Sequence, residues 1–193
     1  MRVTAKAVSA VIVLIAAAAM CSCGGADNRT LTPVVDLLDT LDQAERRPFG
    51  APFDVAPVTL RGETHRALAT PGASRVTWDL HLPDRAVFQV LVALKEDAWT
   101  TEGDGVYFRI SIAEGRTQED LLARVVNPYG QSDDRRWIPL TVDLGAHSGF
   151  KWSLFYHPRR LLWRIGLHTN AGVPGSVDTR GDMPLWAEPR ILR

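Results

Sequence analysis

An all-β chain, folded as an antiparallel β-sandwich or jelly roll, is predicted by three features of this 193-residue sequence. From residue 58 onward, apolar and polar residues alternate in short runs, the two-residue period of strands with one buried face. Turn residues punctuate these runs every eight to twelve positions. No crossover helix with a 3.6-residue period separates them, which excludes a parallel sheet.

Composition bounds the function. Lys and Arg number 22, Asp and Glu also 22, and 46% of residues are hydrophobic, so a core is affordable and disorder or a polytopic membrane fold is excluded. A formal charge of zero lacks the basic excess that displaces counterions from phosphates, so nucleic acid is not an expected partner.

Residues 1–22 have the layout of an export signal. Arg2 and Lys6 precede 14 uncharged residues, 7–20, followed by Cys21, Ser22, Cys23 and Gly24. At about 1.5 Å per residue this stretch spans roughly 21 Å, short of the ~30 Å hydrocarbon core. The junction resembles a bacterial lipobox, with Ser22 as the small residue before Cys23. The resemblance implies lipidation at Cys23 and a membrane-anchored protein of the cell envelope. Cleavage after Ala19, giving a secreted or periplasmic soluble protein, is the alternative.

Residues 23–57 are expected to form a tether and one short amphipathic helix. Thr32 and Pro33 have N-cap and first-turn character, Val34, Leu38 and Leu41 recur at helical spacing, and Pro48 follows the end, giving a helix over 33–45. The sandwich domain is then 58–193. Its first strand has Val76, Trp78, Leu80 and Leu82 on one face, ending at Pro83. Phe88, Val90, Val92 and Leu94 define a central strand, and Val106, Phe108, Ile110 and Ile112 another, after the Gly103-Asp104-Gly105 turn. Residues 117–126 carry both a capping-box pattern, Thr117 with Asp120, and the β-branched pair Val125-Val126; the strand is preferred. Ile138, Leu140, Val142 and Leu144 form a further face. Residues 150–156 and 161–167 read as a hairpin turning at His157-Pro158-Arg159-Arg160.

The strand over 76–82, the GDGVYFRI stretch at 103–110, WIPLTVDLGAHSG at 137–149 and LWAEPRI at 185–191 together resemble the carbohydrate-binding-like jelly-roll modules, the discoidin-like sandwiches attached to bacterial enzymes and lipoproteins. None of these stretches is a catalytic motif. The resemblance implies a β-sandwich whose loops bind a glycan or another envelope component.

Six Trp invite a sugar-binding reading, because an exposed indole stacks on the apolar face of a pyranose. Trp78, Trp152 and Trp163 lie on apolar strand faces and are expected in the core, as is Trp186. Trp99, in the polar loop 96–105, and Trp137, opposite Ile138 and Leu140, are the candidate platforms. Glu102 and Asp104 stand beside Trp99 as candidate ligand-binding carboxylates. With Glu96 and Asp97 they form an acidic loop in which a structural calcium is the one metal conceivable, although the spacing matches no defined calcium motif. No cofactor is expected. The five His are scattered without zinc-ligand spacing, and Gly145-Ala146-His147-Ser148-Gly149 does not meet the Gly-x-Ser-x-Gly elbow. Arg180-Gly181-Asp182 matches an adhesive tripeptide, for which a structural Asp182 is the plainer reading.

The sequence therefore predicts an exported, lipid-anchored, non-catalytic binding module. Docking of another envelope protein is the alternative, and an unrecognised hydrolase a distant third.

Overall fold

The computed structural model describes residues 30–147, 150–153, 156–160, 162–172, 176, 178 and 180–193, with side chains described outside 150–160. The export segment, Cys23, Ser148 and the side chains of Trp152 and His157 lie outside this set. The chain divides into two units, Met1–Thr30 and Leu31–Arg193, and the fold belongs to the second. Among the described residues no helix is long and apolar enough to cross a membrane.

In chain order the strands are β1 (Pro33–Asp36), β2 (Glu45–Arg47), β3 (Asp54–Leu60), β4 (Glu63–Ala69), β5 (Ser74–Leu80), β6 (Val87–Leu94), β7 (Val106–Glu114), β8 (Thr117–Val126), β9 (Ile138–Asp143), β10 (Phe150–Ser153), β11 (Tyr156–Arg160), β12 (Trp163–Ala171) and β13 (Pro184–Leu192). One sheet has the order β3-β4-β13-β6-β9 with β1 also on β13; the other runs β2-β5-β12-β7-β8; β10 and β11 form a separate hairpin. Every pairing among the described residues is antiparallel. The chain is thus the expected antiparallel sandwich.

Alternation dictates what meets between the sheets. Phe88, Val90 and Val92 from β6, Leu140 from β9 and Trp186 from β13 face Val76, Trp78, Phe108, Ile110, Ile165 and Leu167 from the other sheet in one buried cluster. Phe108 and Trp186 close the contact edge to face, with centroids 4.9 Å apart. Trp78, Trp163 and Trp186 are buried, as their strand faces require.

Strand β13 changes partner midway. Leu185, Trp186 and Ala187 pair with β4, whereas Arg190, Ile191 and Leu192 pair with β1. Between them Pro189 has no N–H to give a ladder, and Glu188 takes φ of 50° in an irregularity that also shifts the β6 register. The Glu188 carboxylate contacts His65 Nδ1 at 3.0 Å and accepts from the Arg190 guanidinium at 2.9 Å, fastening the bulge.

Residues 33–36 are a strand, and the helical residues are the 3-10 turn Leu37–Gln43. Pro33, Val35 and Asp36 pair with Leu192, Ile191 and Arg190 of β13, with an irregularity at Val34, and mutual backbone bonds between Thr32 and Arg193 at 2.9 and 3.0 Å extend the ladder. The helix cap is then Asp36, whose Oδ1 accepts from the Leu38 N–H at 3.0 Å, and Leu37 and Leu38 turn inward. Residues 117–126 form β8 along the edge of β7. The expected pairing of 150–156 with 161–167 does not form: β10 pairs instead with β11, Ser153 opposite Tyr156, with Pro158 tolerated in a two-stranded ribbon, while β12 takes its place between β5 and β7 in the second sheet.

A second apolar layer coats the outside of the first sheet. Strand β4 pairs with β13 only through residues 67–69, so the tip of the β3–β4 hairpin leans over the sheet. Leu60 from the tip is buried with Ala67, Ala93, Leu185, Ala187 and Trp137. Small side chains on the sheet make room for the hairpin to approach.

Candidate functional site

The two indoles singled out from the sequence meet in this outer layer. Trp137 is 5% exposed; its Nε1–H donates to Glu63 O at 3.2 Å and His65 packs edge-on at 5.3 Å. Trp99 ends the turn Glu96–Trp99, is half-buried against the same layer, and donates Nε1–H to Leu94 O at 3.2 Å. Both hold the hairpin and the loop in place. Glu102 and Asp104 lie on the other side of that loop, towards Arg180, whose guanidinium is held charged first by Asp178 and further by these two acids. Asp104 Oδ1 accepts from the Gly172 N–H at 3.3 Å, and Glu96 accepts from the Arg61 N–H at 3.5 Å. Among the described residues no three acids, His or Cys converge as a metal group.

Asp182 of the Arg-Gly-Asp tripeptide is turned inward. Both carboxylate oxygens are buried without a hydrogen-bond partner, and a Cβ at Gly72 would stand 2.7 Å from its Cβ. Burial pushes its pKa up to about 7, with Asp104 and Asp178 adding repulsion. Such a carboxylate is not presented to a receptor.

The outer face of the second sheet is polar and centres on Gly166. A Cβ there would lie 2.6 Å from His168 Nε2 and 2.7 Å from Ser111 Oγ, so the missing side chain lets these two meet at 2.8 Å. Arg109 NH2 lies 3.3 Å from His168 Nδ1. A guanidinium can only donate, so Nδ1 accepts and the imidazole proton sits on Nε2, given to Ser111. Burial, then the charges of Arg109 and Arg75, hold the imidazole neutral with a pKa lowered to about 4. In this tautomer His168 cannot take the Ser111 proton. The pair is not an activated nucleophile.

A cavity of about 630 Å³ opens at the edge of the sandwich, where the β7–β8 turn faces residues 145–147. Its apolar wall is Ile112, Ala146 and Trp163, and its polar wall is Glu114, Thr117, Glu119 and His147. His147 packs edge-on to Trp163 at 5.0 Å, and its Nε2 lies 3.9 Å from Glu119 Oε2. Strand β7 ends at Glu114 and Gly115 turns the chain at φ of 60°, which returns Thr117 and Glu119 along β8 beside Ile112. The volume lies within the about 300–1,000 Å³ of small-ligand sites. The narrow apolar edge left by Ile112, Ala146 and Trp163 stands beside two carboxylates, a hydroxyl and an imidazole, which can exchange hydrogen bonds with a hydroxylated ligand.

Strand alternation had placed Trp163 in the core, where it is, with 5% exposed. The rest of this wall carried no motif, since it comes from three segments joined only by the fold.

Two facing antiparallel sheets around one aromatic core define the chain as a β-sandwich. No protein-family model matches it. A curated relative, an uncharacterized protein of Archaeoglobus fulgidus, is 27% identical over 115 residues; the match takes in 58% of this chain and 25% of the relative, so the chain spans about a quarter of its length. Among solved structures it is similar to a CBM51 module of a Clostridium perfringens GH95 protein, in complex with methyl-galactose, at a TM-score of 0.47 and 14% identity, covering 81% of this chain and 98% of that one. The xylan-binding module CBM15 gives a TM-score of 0.43 and 10% identity over 84% and 94%. The M60 catalytic domain with two CBM51 domains of Clostridium perfringens ZmpB gives 0.47 and 12%, over 83% of this chain and 15% of that one.

Proposed function

We propose that this protein is a non-catalytic glycan-binding module, exported and anchored to a membrane of the cell envelope through a lipid on Cys23. One observation carries the binding reading: the Trp163 cavity joins an apolar wall to Glu114, Thr117, Glu119 and His147. A sugar entering it gives its hydroxyl protons to the two carboxylates and meets only the exposed edge of the indole. The carboxylates bind and orient. Among the described residues lining the cavity, none is arranged as a nucleophile with its base.

The anchoring reading rests on the lipobox-like Ser22-Cys23 after the uncharged segment 7–20. Metabolic labelling with a palmitate analogue, lost in Cys23→Ala, tests it; labelling that persists in the variant removes it.

Affinity electrophoresis through gels containing neutral polysaccharides tests the glycan site. Retardation by at least one polymer, reduced by Glu119→Gln at unchanged melting temperature, supports it. Retardation indifferent to Glu119→Gln and His147→Ala places the ligand elsewhere. Docking of an envelope protein keeps one observation of its own: Phe49 is 72% exposed, under the Arg47 guanidinium at 3.8 Å from its centroid.

A further inference from the structure

The outer face of the β2-β5-β12-β7-β8 sheet carries a small, separate cavity of about 110 Å³ beside Gly115. Its lining is rich in donors: the guanidinium groups of Arg75, Arg116 and Arg164, the hydroxyls of Thr77 and Ser111, and the Gln118 amide. Glu45 is the one carboxylate in the lining, and it is already engaged by Arg47 Nε at 2.9 Å and by Arg75 at 3.7 Å. Arg164 is held by a bidentate pair with Asp79 at 2.8 and 2.9 Å. Arg116 has no hydrogen bond or ion pair among the described residues.

The floor is polarised in the same sense. Ser111 is 3% exposed and His168 5%. Arg109 donates to His168 Nδ1, and His168 Nε2–H donates to Ser111 Oγ, so the Ser111 hydroxyl has its acceptor role filled and its own proton to give. Gly166 is the gap across which that bond is made. A buried hydroxyl held as a donor, under an arginine with no internal partner and another held by a 3.7 Å contact, is a built receptor for oxygen acceptors bearing negative charge.

We infer that this cavity binds an oxyanion substituent, a carboxylate or sulfate ester, on the glycan. The inference rests on the glycan-binding reading but concerns different side chains, on the opposite face of the sheet. It makes acidic polysaccharides the preferred ligands, with the sugar ring held in the Trp163 cavity or along the strands and the anionic group at Arg75, Arg116 and Ser111.

The test compares the full chain on a neutral galactan, a sulfated galactan and polygalacturonate at low salt. The expected result is binding to at least one acidic polymer about tenfold tighter than to the neutral one, as one charged hydrogen-bonding group is worth. The preference is expected to vanish in Arg75→Ala/Arg116→Ala, to shrink in Ser111→Ala, and to fall as salt is raised. Equal affinity for acidic and neutral polymers, or a preference that survives the double variant, overturns the inference while leaving the glycan reading intact. If no polymer is bound, the glycan reading fails, and with it the glycan source of the anion. Inorganic sulfate titrated against the amide resonances of Ser111 and Gln118 then judges the cavity alone: shifts lost in the double variant support an oxyanion receptor, and no shifts overturn it.

Discussion

Ser111 and His168 are joined across Gly166, Oγ to Nε2 at 2.8 Å, on a face where any larger residue at 166 would occupy the space between them. This contact ties β7 to β12 outside the core and fixes the histidine tautomer. Gly166→Ala is expected to destabilise the protein by about 1–3 kcal/mol, the usual cost of forcing a group into filled space. Urea unfolding measures it. An unchanged midpoint would mean that the two side chains can part at no cost.

His168 also sets an acid limit. Its folded pKa is lowered to about 4 from 6.5, so the unfolded chain binds the extra proton first as the pH falls. Stability from this group is therefore complete above pH 6.5 and is lost progressively down to about pH 4. His168→Gln should flatten that part of the melting-temperature profile. A profile with the same slope in the variant would assign the acid sensitivity to other groups.

Asp182 works in the opposite sense. Its folded pKa is raised to about 7 from 3.8, so the native state holds the proton that the unfolded chain has released, and stability declines as pH rises through this window. Asp182→Asn keeps the shape and removes the charge. It should raise the melting temperature at pH 8 and leave it nearly unchanged at pH 4. Equal effects at both pH values would contradict the burial of an unpartnered carboxylate.

Trp137 supports the hairpin tip through Leu60, His65 and Glu63. Trp137→Ala should cost about 3–5 kcal/mol, the range for removing a buried aromatic. Amide exchange should accelerate first at residues 58–66, whose ladder to β13 stops at Ala67. Uniform acceleration over the whole sandwich would show instead that the outer layer and the core unfold together.

The strand faces were legible because each has a single buried side: Phe88, Val90 and Val92, or Phe108, Ile110 and Ile112, can be satisfied only by a partner sheet. Other features were hidden for stated physical reasons. Alternation around Trp137 showed that it leaves the core face, but a second apolar layer covering that face depends on the hairpin tip and on Ala67, Ala93 and Ala187, whose small side chains give little hydrophobic signal. Pro33 has the character of a helix start, yet a ladder on β13 outweighs local propensity. The cavity wall draws on three separate segments, Ile112 with Glu119, His147, and Trp163, and no local spacing betrays such a meeting.

If the Trp163 cavity binds sugar, Glu119 is the residue that tests it most accessibly, because its side chain is 63% exposed and contributes little to the core. The decisive measurement is a glycan-array screen of the full chain beside Glu119→Gln, with matching circular dichroism spectra. The account predicts reproducible binding of one glycan class by the native protein, weakened about tenfold or more in the variant. Silence across a broad array by the folded protein, or binding that Glu119→Gln leaves untouched, would contradict it.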